Sequence, residues 1–176
     1  MVEINTIPVV RLCQGRSAGP ARRYLRPMPV IVVGADTPQG EAILTGLCEP
    51  GREVRAFVSD AGAGRRLKSR GLKVAVGDVS DDSHVGAAAV GCFTAVLIAE
   101  AASDVRERSF ASGPEAVLSG WARAVRASGV SRVIWLSADD PPVTDPIESA
   151  AVAPGASDAV ERVVALDAAQ TIGAGP

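Results

Sequence analysis

The chain has 176 residues, 47% of them hydrophobic but only 3% aromatic, and a formal net charge of -2. That length suits one domain with a core of Val, Ala, Leu and Ile, and near-neutral charge argues against a general nucleic-acid surface. No stretch reaches the roughly 20 apolar residues of a membrane helix, and no basic-then-apolar leader opens the chain, so the cytoplasm is the expected compartment. The three cysteines, Cys13, Cys48 and Cys92, are odd in number and lack C-x-x-C spacing. Neither a disulfide framework nor a zinc site is indicated.

Residues 1–27 differ from the rest: Arg11, Arg16, Arg22, Arg23 and Arg26 face one acid, Glu3. With no sustained helical or strand period and with Gly15, Gly19 and Pro20 breaking it, the segment reads as a mobile Arg-rich extension. Either it is a basic arm for an acidic partner or Met28 is the start; the expectation adopted is Met28. Residues 28–176 then form a single domain. Val30 to Val33 are four β-branched residues in a row, apolar on both faces, which predicts a strand buried on both sides of a parallel sheet. Gly34 lets the chain turn off this strand, and Gly40 lets the following helix approach it closely. The free N-H groups at that helix start, Thr37 and Gln39 among its residues, would face a pyrophosphate. Asp36 adds a carboxylate where phosphate charges would lie.

Pro38 suits an early helical position, and Ile43, Leu44, Leu47 and Cys48 give an apolar stripe that Gly51 is expected to end. Glu53 to Val58 reads as the second strand. Ser59 and Asp60 follow at its carboxyl end, where a cofactor ribose is read in dinucleotide folds. Arg65 and Arg66 open the next helix, either as a solvated face or as partners of a phosphate. Gly71 to Val79 forms a third strand ending in Gly77-Asp78, and Asp82 to Val90 a helix whose His84, the sole histidine, reads as a surface residue. No Ser-His-Asp triad is available. Phe93 to Ala99 is the fourth strand, Glu100 to Gly113 a polar loop over its carboxyl end, and Pro114 to Ser128 a helix with Val117, Trp121, Ala124 and Val125 on one core stripe. Gly129 to Ser137 turns into the fifth strand. Asp139, Asp140, Asp145 and Glu148 lie in a Pro-containing loop that reads as solvated acids, and Ser157 to Ala169 is a last helix before a Thr171-Ile172 stub.

Two stretches carry a family resemblance: Gly34-x5-Gly40 after the first strand, and Val117 to Ser137 with its Gly129-Val130 turn. They resemble the NmrA-like, atypical short-chain dehydrogenase/reductase group of NAD(P)-binding proteins, whose fingerprint is G-x-x-G-x-x-G. Thr37 stands at that group's middle glycine. The resemblance implies a doubly wound open α/β sheet, Rossmann-like, strand order 3-2-1-4-5, shortened at its C-terminal end. It also implies NADP or NAD as cofactor, with Gly34, Thr37, Gln39 and Gly40 near the pyrophosphate, Ser59 and Asp60 at the ribose, Asp78 and Val79 bordering the adenine, and Ala99 closing the cofactor side. Ser137 falls at the serine of the fifth strand and is the candidate catalytic residue, but the Tyr-x-x-x-Lys pair expected on the next helix is absent. No tyrosine follows Tyr24 and no lysine follows Lys73. The expectation is a dinucleotide sensor or accessory subunit. A true oxidoreductase on an unknown carbonyl or quinone, and a domain that has lost its ligand and serves as an interaction module, stay open. So do a protein partner and a homo-oligomer.

Overall fold

The computed structural model describes residues 28–103 and 110–169. The Arg-rich arm, residues 104–109 of the expected polar loop, and the Thr171-Ile172 stub lie outside the described residues. Six parallel strands form one sheet in the order β3-β2-β1-β4-β5-β6, with β1 at Val30–Val33, β2 at Val54–Val58, β3 at Lys73–Val76, β4 at Thr94–Ile98, β5 at Arg132–Leu136 and β6 at Glu148–Val152. The helices are α1 at Pro38–Leu47, α2 at Ala61–Ser69, α3 at Asp82–Ala89, α4 at Pro114–Ala127 and α5 at Ala159–Ala168. Every residue of β1, β4 and β5 is buried. Helices cover both faces, so these central strands carry continuous apolar runs in place of an alternating pattern.

Alternation reappears in which core each side chain joins. Ile31, Val33, Leu97, Val133 and Trp135 pack beneath α3 and α4, whereas Val30, Val32, Val96 and Ile134 pack with residues of α1, α2 and α5 on the other face. Val117, Trp121, Ala124 and Val125 of α4 are all buried, as their spacing predicts. Trp121 also donates its indole N-H to the Val79 carbonyl at 2.7 Å, which satisfies a polar atom that burial would otherwise leave unpaired.

The sheet keeps the order 3-2-1-4-5 and adds a strand. β6 lies within and just beyond the stretch read as an acidic loop, and it escapes a propensity reading because its sequence, Glu-Ser-Ala-Ala-Val, is poor in β-branched residues. As an edge strand it is half exposed and needs little apolar character. The connection from β5 to β6, residues 137–147, contains no helix, although parallel strands are usually joined through one. α5 follows β6 and packs on α1. Residues Ala99–Ser103 form a short 3-10 helix with Ala101 and Ala102 buried, where the end of the fourth strand at Ala99 and a polar loop from Glu100 were expected. α1 ends at Leu47, before Gly51: Cys48 is already extended, and Pro50 disfavours a helical conformation at Glu49.

Candidate functional site

The order of the strands places a crevice between the carboxyl ends of β1 and β4, where chain connections leave in opposite directions and open α/β sheets hold their ligands. The β1-α1 turn enters this crevice. Gly34 has φ +82°, in the region that favours glycine, and an added Cβ would stand 2.6 Å from the Ala101 Cβ. Gly40 is required by contact: its Cβ would lie 2.4 Å from the Gly34 carbonyl oxygen and 2.7 Å from the Ala35 Cα. Two glycines six residues apart thus let α1 start against the end of the strand.

Thr37 is the N-cap of α1. Its hydroxyl donates to the Gly34 carbonyl at 2.9 Å and accepts the Gly40 N-H at 3.0 Å. The Thr37 N-H also donates to the Gly34 carbonyl, and the Gly34 and Ala35 N-H groups both go to the Phe57 carbonyl. Pro38 brings no donor. The Gln39 N-H makes no hydrogen bond among the described residues, and the Gln39 side-chain oxygen is buried without a partner there. A helix N-terminus with a spare N-H and an orphaned amide beside a glycine cradle fits a dinucleotide pyrophosphate, with fewer donors than a three-glycine turn presents. Gln39 also borders a cleft of about 260 Å³ formed with Ile43 on α1, Leu136 at the end of β5, and Ala156 and Val160 at α5.

Asp36 is turned away from the α1 terminus. Its Oδ2 accepts the Ser59 N-H at 3.1 Å, the Ser59 hydroxyl at 3.1 Å and the Asp60 N-H at 3.0 Å. This carboxylate fastens the β1-α1 turn to the end of β2. Asp60 in turn caps α2, its Oδ1 accepting the Ala63 N-H at 2.6 Å. Arg66 is ion-paired with Glu41 on α1; Arg65 is exposed. The structure thus brings Gly34, Thr37, Gln39, Gly40, Ser59 and Asp60 into one region, joined by an Asp36 whose bridging role sequence reasoning misses.

The remaining candidates stand apart from this cluster in their contacts. Asp78 closes the turn after β3 by accepting the Ser80 N-H and hydroxyl, both at 2.7 Å. Val79 is 1% exposed, joins the core beneath α4 and accepts the Trp121 indole N-H at its carbonyl. Ala99 opens the short 3-10 helix after β4. Ser137, directly beyond β5, is half-buried, and its N-H donates to the Val152 carbonyl of β6 at 3.2 Å. Asp139, Asp140 and Asp145 are exposed. Glu148 is drawn into β6 and pairs with Arg132 at 3.0 Å. No three His, Cys, Asp or Glu residues are grouped to hold a metal among the described residues. His84 is exposed, as expected.

The opposite, amino-terminal edge of the sheet is held by arginines. Arg132 is 1% exposed and donates through Nη1 to the carbonyls of Leu166, Asp167 and Ala169, at 3.0, 2.8 and 2.7 Å, closing the C-terminal end of α5. Its guanidinium also lies 5.4 Å from the centre of the Phe93 ring. Arg55 does the same for α3, donating to Ala88 and Val90 carbonyls. Hydrogen bonds from Lys73 and then Arg55 hold the Glu53 carboxyl below its usual range, and burial pushes the Cys92 thiol up. On the carboxyl side, a hydrogen bond from the Ser83 hydroxyl lowers Asp81 at the start of α3.

Comparison with known proteins agrees with this geometry. The quinone oxidoreductase of Escherichia coli in complex with NADPH superposes with a TM-score of 0.51 at 20% identity, over 61% of this chain and 36% of that one. The triphenylmethane reductase of Citrobacter sp. gives 0.52 at 16% identity, over 80% and 46%. Pen from Bacillus thuringiensis gives 0.52 at 18%, over 66% and 39%. The chain therefore spans less than half the length of each. At such identities these neighbours establish the fold alone. No curated protein matches the sequence. A family model described as NAD(P)H-binding, however, matches residues 34–166, beginning on the glycine that ends β1 and running into α5. With the six-stranded parallel sheet and its glycine turn, that match makes the chain a member of the NAD(P)H-binding family.

Proposed function

We propose that this domain holds a nicotinamide dinucleotide at the β1-α1 turn as a sensor or accessory subunit, without turning over a substrate. The observation that carries this reading is the connection between β5 and β6. Active relatives need a tyrosine and a lysine on the helix that follows the fifth strand, where the lysine lowers the phenol pKa for proton exchange. Here residues 137–147 cross without a helix, and residues 137–169 contain neither tyrosine nor lysine. Gly34 and Gly40 would let the pyrophosphate approach, the Gln39 N-H at the start of α1 would donate to it, and Ala99 would border it from the 3-10 helix after β4. A bound nicotinamide would supply a hydride, but no side chain of the usual kind stands ready to move the accompanying proton.

A second reading draws on Ser137. Its hydroxyl makes no hydrogen bond among the described residues and sits half-buried beyond β5, a position from which it could hold a carbonyl or quinone oxygen. Fluorescence titration with NADH and NADPH, followed by assays with quinone and dye acceptors, separates the two. Saturable binding without turnover, and no more than a few-fold change in affinity for Ser137→Ala, is expected. Turnover that disappears in Ser137→Ala would establish the reductase instead. No binding up to millimolar cofactor would leave a ligand-free interaction domain.

A further inference from the structure

Resting on the dinucleotide reading above, we infer that Asp36 makes the site select an unphosphorylated adenosine ribose, so that NAD(H) is bound in preference to NADP(H). Dinucleotide folds read the ribose 2' position at the end of the second strand, through an acid for the diol or an arginine for a 2'-phosphate. In this chain the groups there that could donate to a phosphate are already directed elsewhere. The Ser59 N-H, the Ser59 hydroxyl and the Asp60 N-H all point at Asp36 Oδ2 within 3.1 Å. A 2'-phosphate would bring acceptor oxygens and a charge of about -1.5 to -2 to a place where those three donors already serve a carboxylate. A ribose diol brings O-H donors, which carboxylate oxygens accept.

The neighbouring cations among the described residues are turned to other partners or exposed. Arg66 is turned to Glu41, and Arg70 lies 3.9 Å from the same carboxylate. Asp60 contributes a second carboxylate at the strand end, its Oδ1 fixed by the Ala63 N-H. Arg65 is the nearest counter-argument. It is exposed on the first turns of α2, and one Nη lies 3.9 Å from the position a Cβ would take on Gly62. An exposed arginine with long rotamer freedom contributes little to binding an anion unless it is positioned, whereas Asp36 is held by three hydrogen bonds.

The test is calorimetric or fluorescence titration of the full chain with NADH and NADPH, and with the fragments 5'-AMP and 2',5'-ADP, for wild type, Asp36→Asn, Ser59→Arg and Arg65→Ala. Wild type is expected to bind NADH at least about tenfold more tightly than NADPH, a difference of about 1.4 kcal/mol. The fragments should show the same order. Asp36→Asn should narrow the ratio to within about threefold, and Ser59→Arg should reverse it while leaving the melting midpoint near that of wild type. Equal or tighter binding of NADPH by wild type would overturn the inference and leave the dinucleotide reading standing. So would an unchanged ratio in both Asp36→Asn and Ser59→Arg, or a tenfold loss of NADPH affinity confined to Arg65→Ala. Binding of neither cofactor nor fragment would remove the inference together with the reading on which it rests.

Discussion

Thr37 stands where the G-x-x-G-x-x-G pattern that this turn resembles has its middle glycine, and it sets what the turn after β1 can offer. Its hydroxyl joins Gly34 to Gly40, so the residue stiffens the turn and withdraws the Gly40 N-H from any ligand. Thr37→Ala should destabilise the domain by about 1 kcal/mol, the usual value of a lost N-cap, and Thr37→Gly by only a few tenths. Thr37→Gly should also tighten NADH binding, because it returns one donor and removes a side chain. Gly40 obeys a different constraint. In an open helix Gly→Ala is stabilising by roughly 1 kcal/mol, but at Gly40 the new methyl would meet backbone at 2.4 Å. Backbone cannot swing aside as a flexible side chain can, so Gly40→Ala is expected to cost about 1 to 3 kcal/mol. Urea unfolding of the three variants, with an NADH titration of Thr37→Gly, checks both statements; a stabilised Gly40→Ala would contradict the close approach.

At the scale of elements, the edge away from the crevice is organised by arginines set at strand starts and aimed at helix ends. Arg132 is the strongest case, because it serves Glu148 on β6 and three carbonyls at the end of α5 from a buried position. It fastens the last strand and the last helix to β5. Arg132→Met would take the guanidinium away from Glu148 and from those carbonyls, and a buried acceptor left unsatisfied typically costs about 1 to 3 kcal/mol. Arg132→Lys should recover little, since one ammonium cannot span two sets of acceptors as a guanidinium fork does. Equilibrium unfolding should therefore place both variants well below wild type. A variant within about 1 kcal/mol of wild type would show that α5 docks through its apolar face alone. Arg55 and Arg132 thus share one structural use at this edge, each donating to the carbonyls at the end of a helix.

For the whole molecule, the described fold closes on itself from Met28 onward. β1 lies at the centre of the sheet, bonded on one side to β2 and on the other to β4, and its entry is tied by the Phe93 N-H donating to the Pro29 carbonyl at 2.8 Å. We therefore expect a chain starting at Met28 to melt within a few degrees of the 176-residue chain. A large drop in midpoint would show that residues 1–27 pack on the domain. NADH added to either chain at about 100 times its dissociation constant should stabilise it by about 2.7 kcal/mol. Equal increments for the two would place the arm outside the cofactor site.

What the sequence by itself determined follows from local chemistry. A run of β-branched residues forms a central strand, a glycine pair allows a tight strand-to-helix turn, and apolar spacing in α1 and α4 selects their buried faces. These signals lie within a few residues of one another, so they survive without knowledge of the fold. The strand order 3-2-1-4-5 came from the family resemblance that such units carry, because strand-helix units in series also suit the order 2-1-3-4-5. Only the tertiary structure decided the rest. β6 has little intrinsic strand character and exists because β5 offers it a hydrogen-bonding edge. Asp36 meets Ser59 and Asp60 across 23 and 24 residues of chain, and Arg132 meets the end of α5 across 34 to 37. A carboxylate read locally as a neighbour of phosphate became a brace between two turns, because partners so distant in sequence are chosen by how the sheet brings strand ends together.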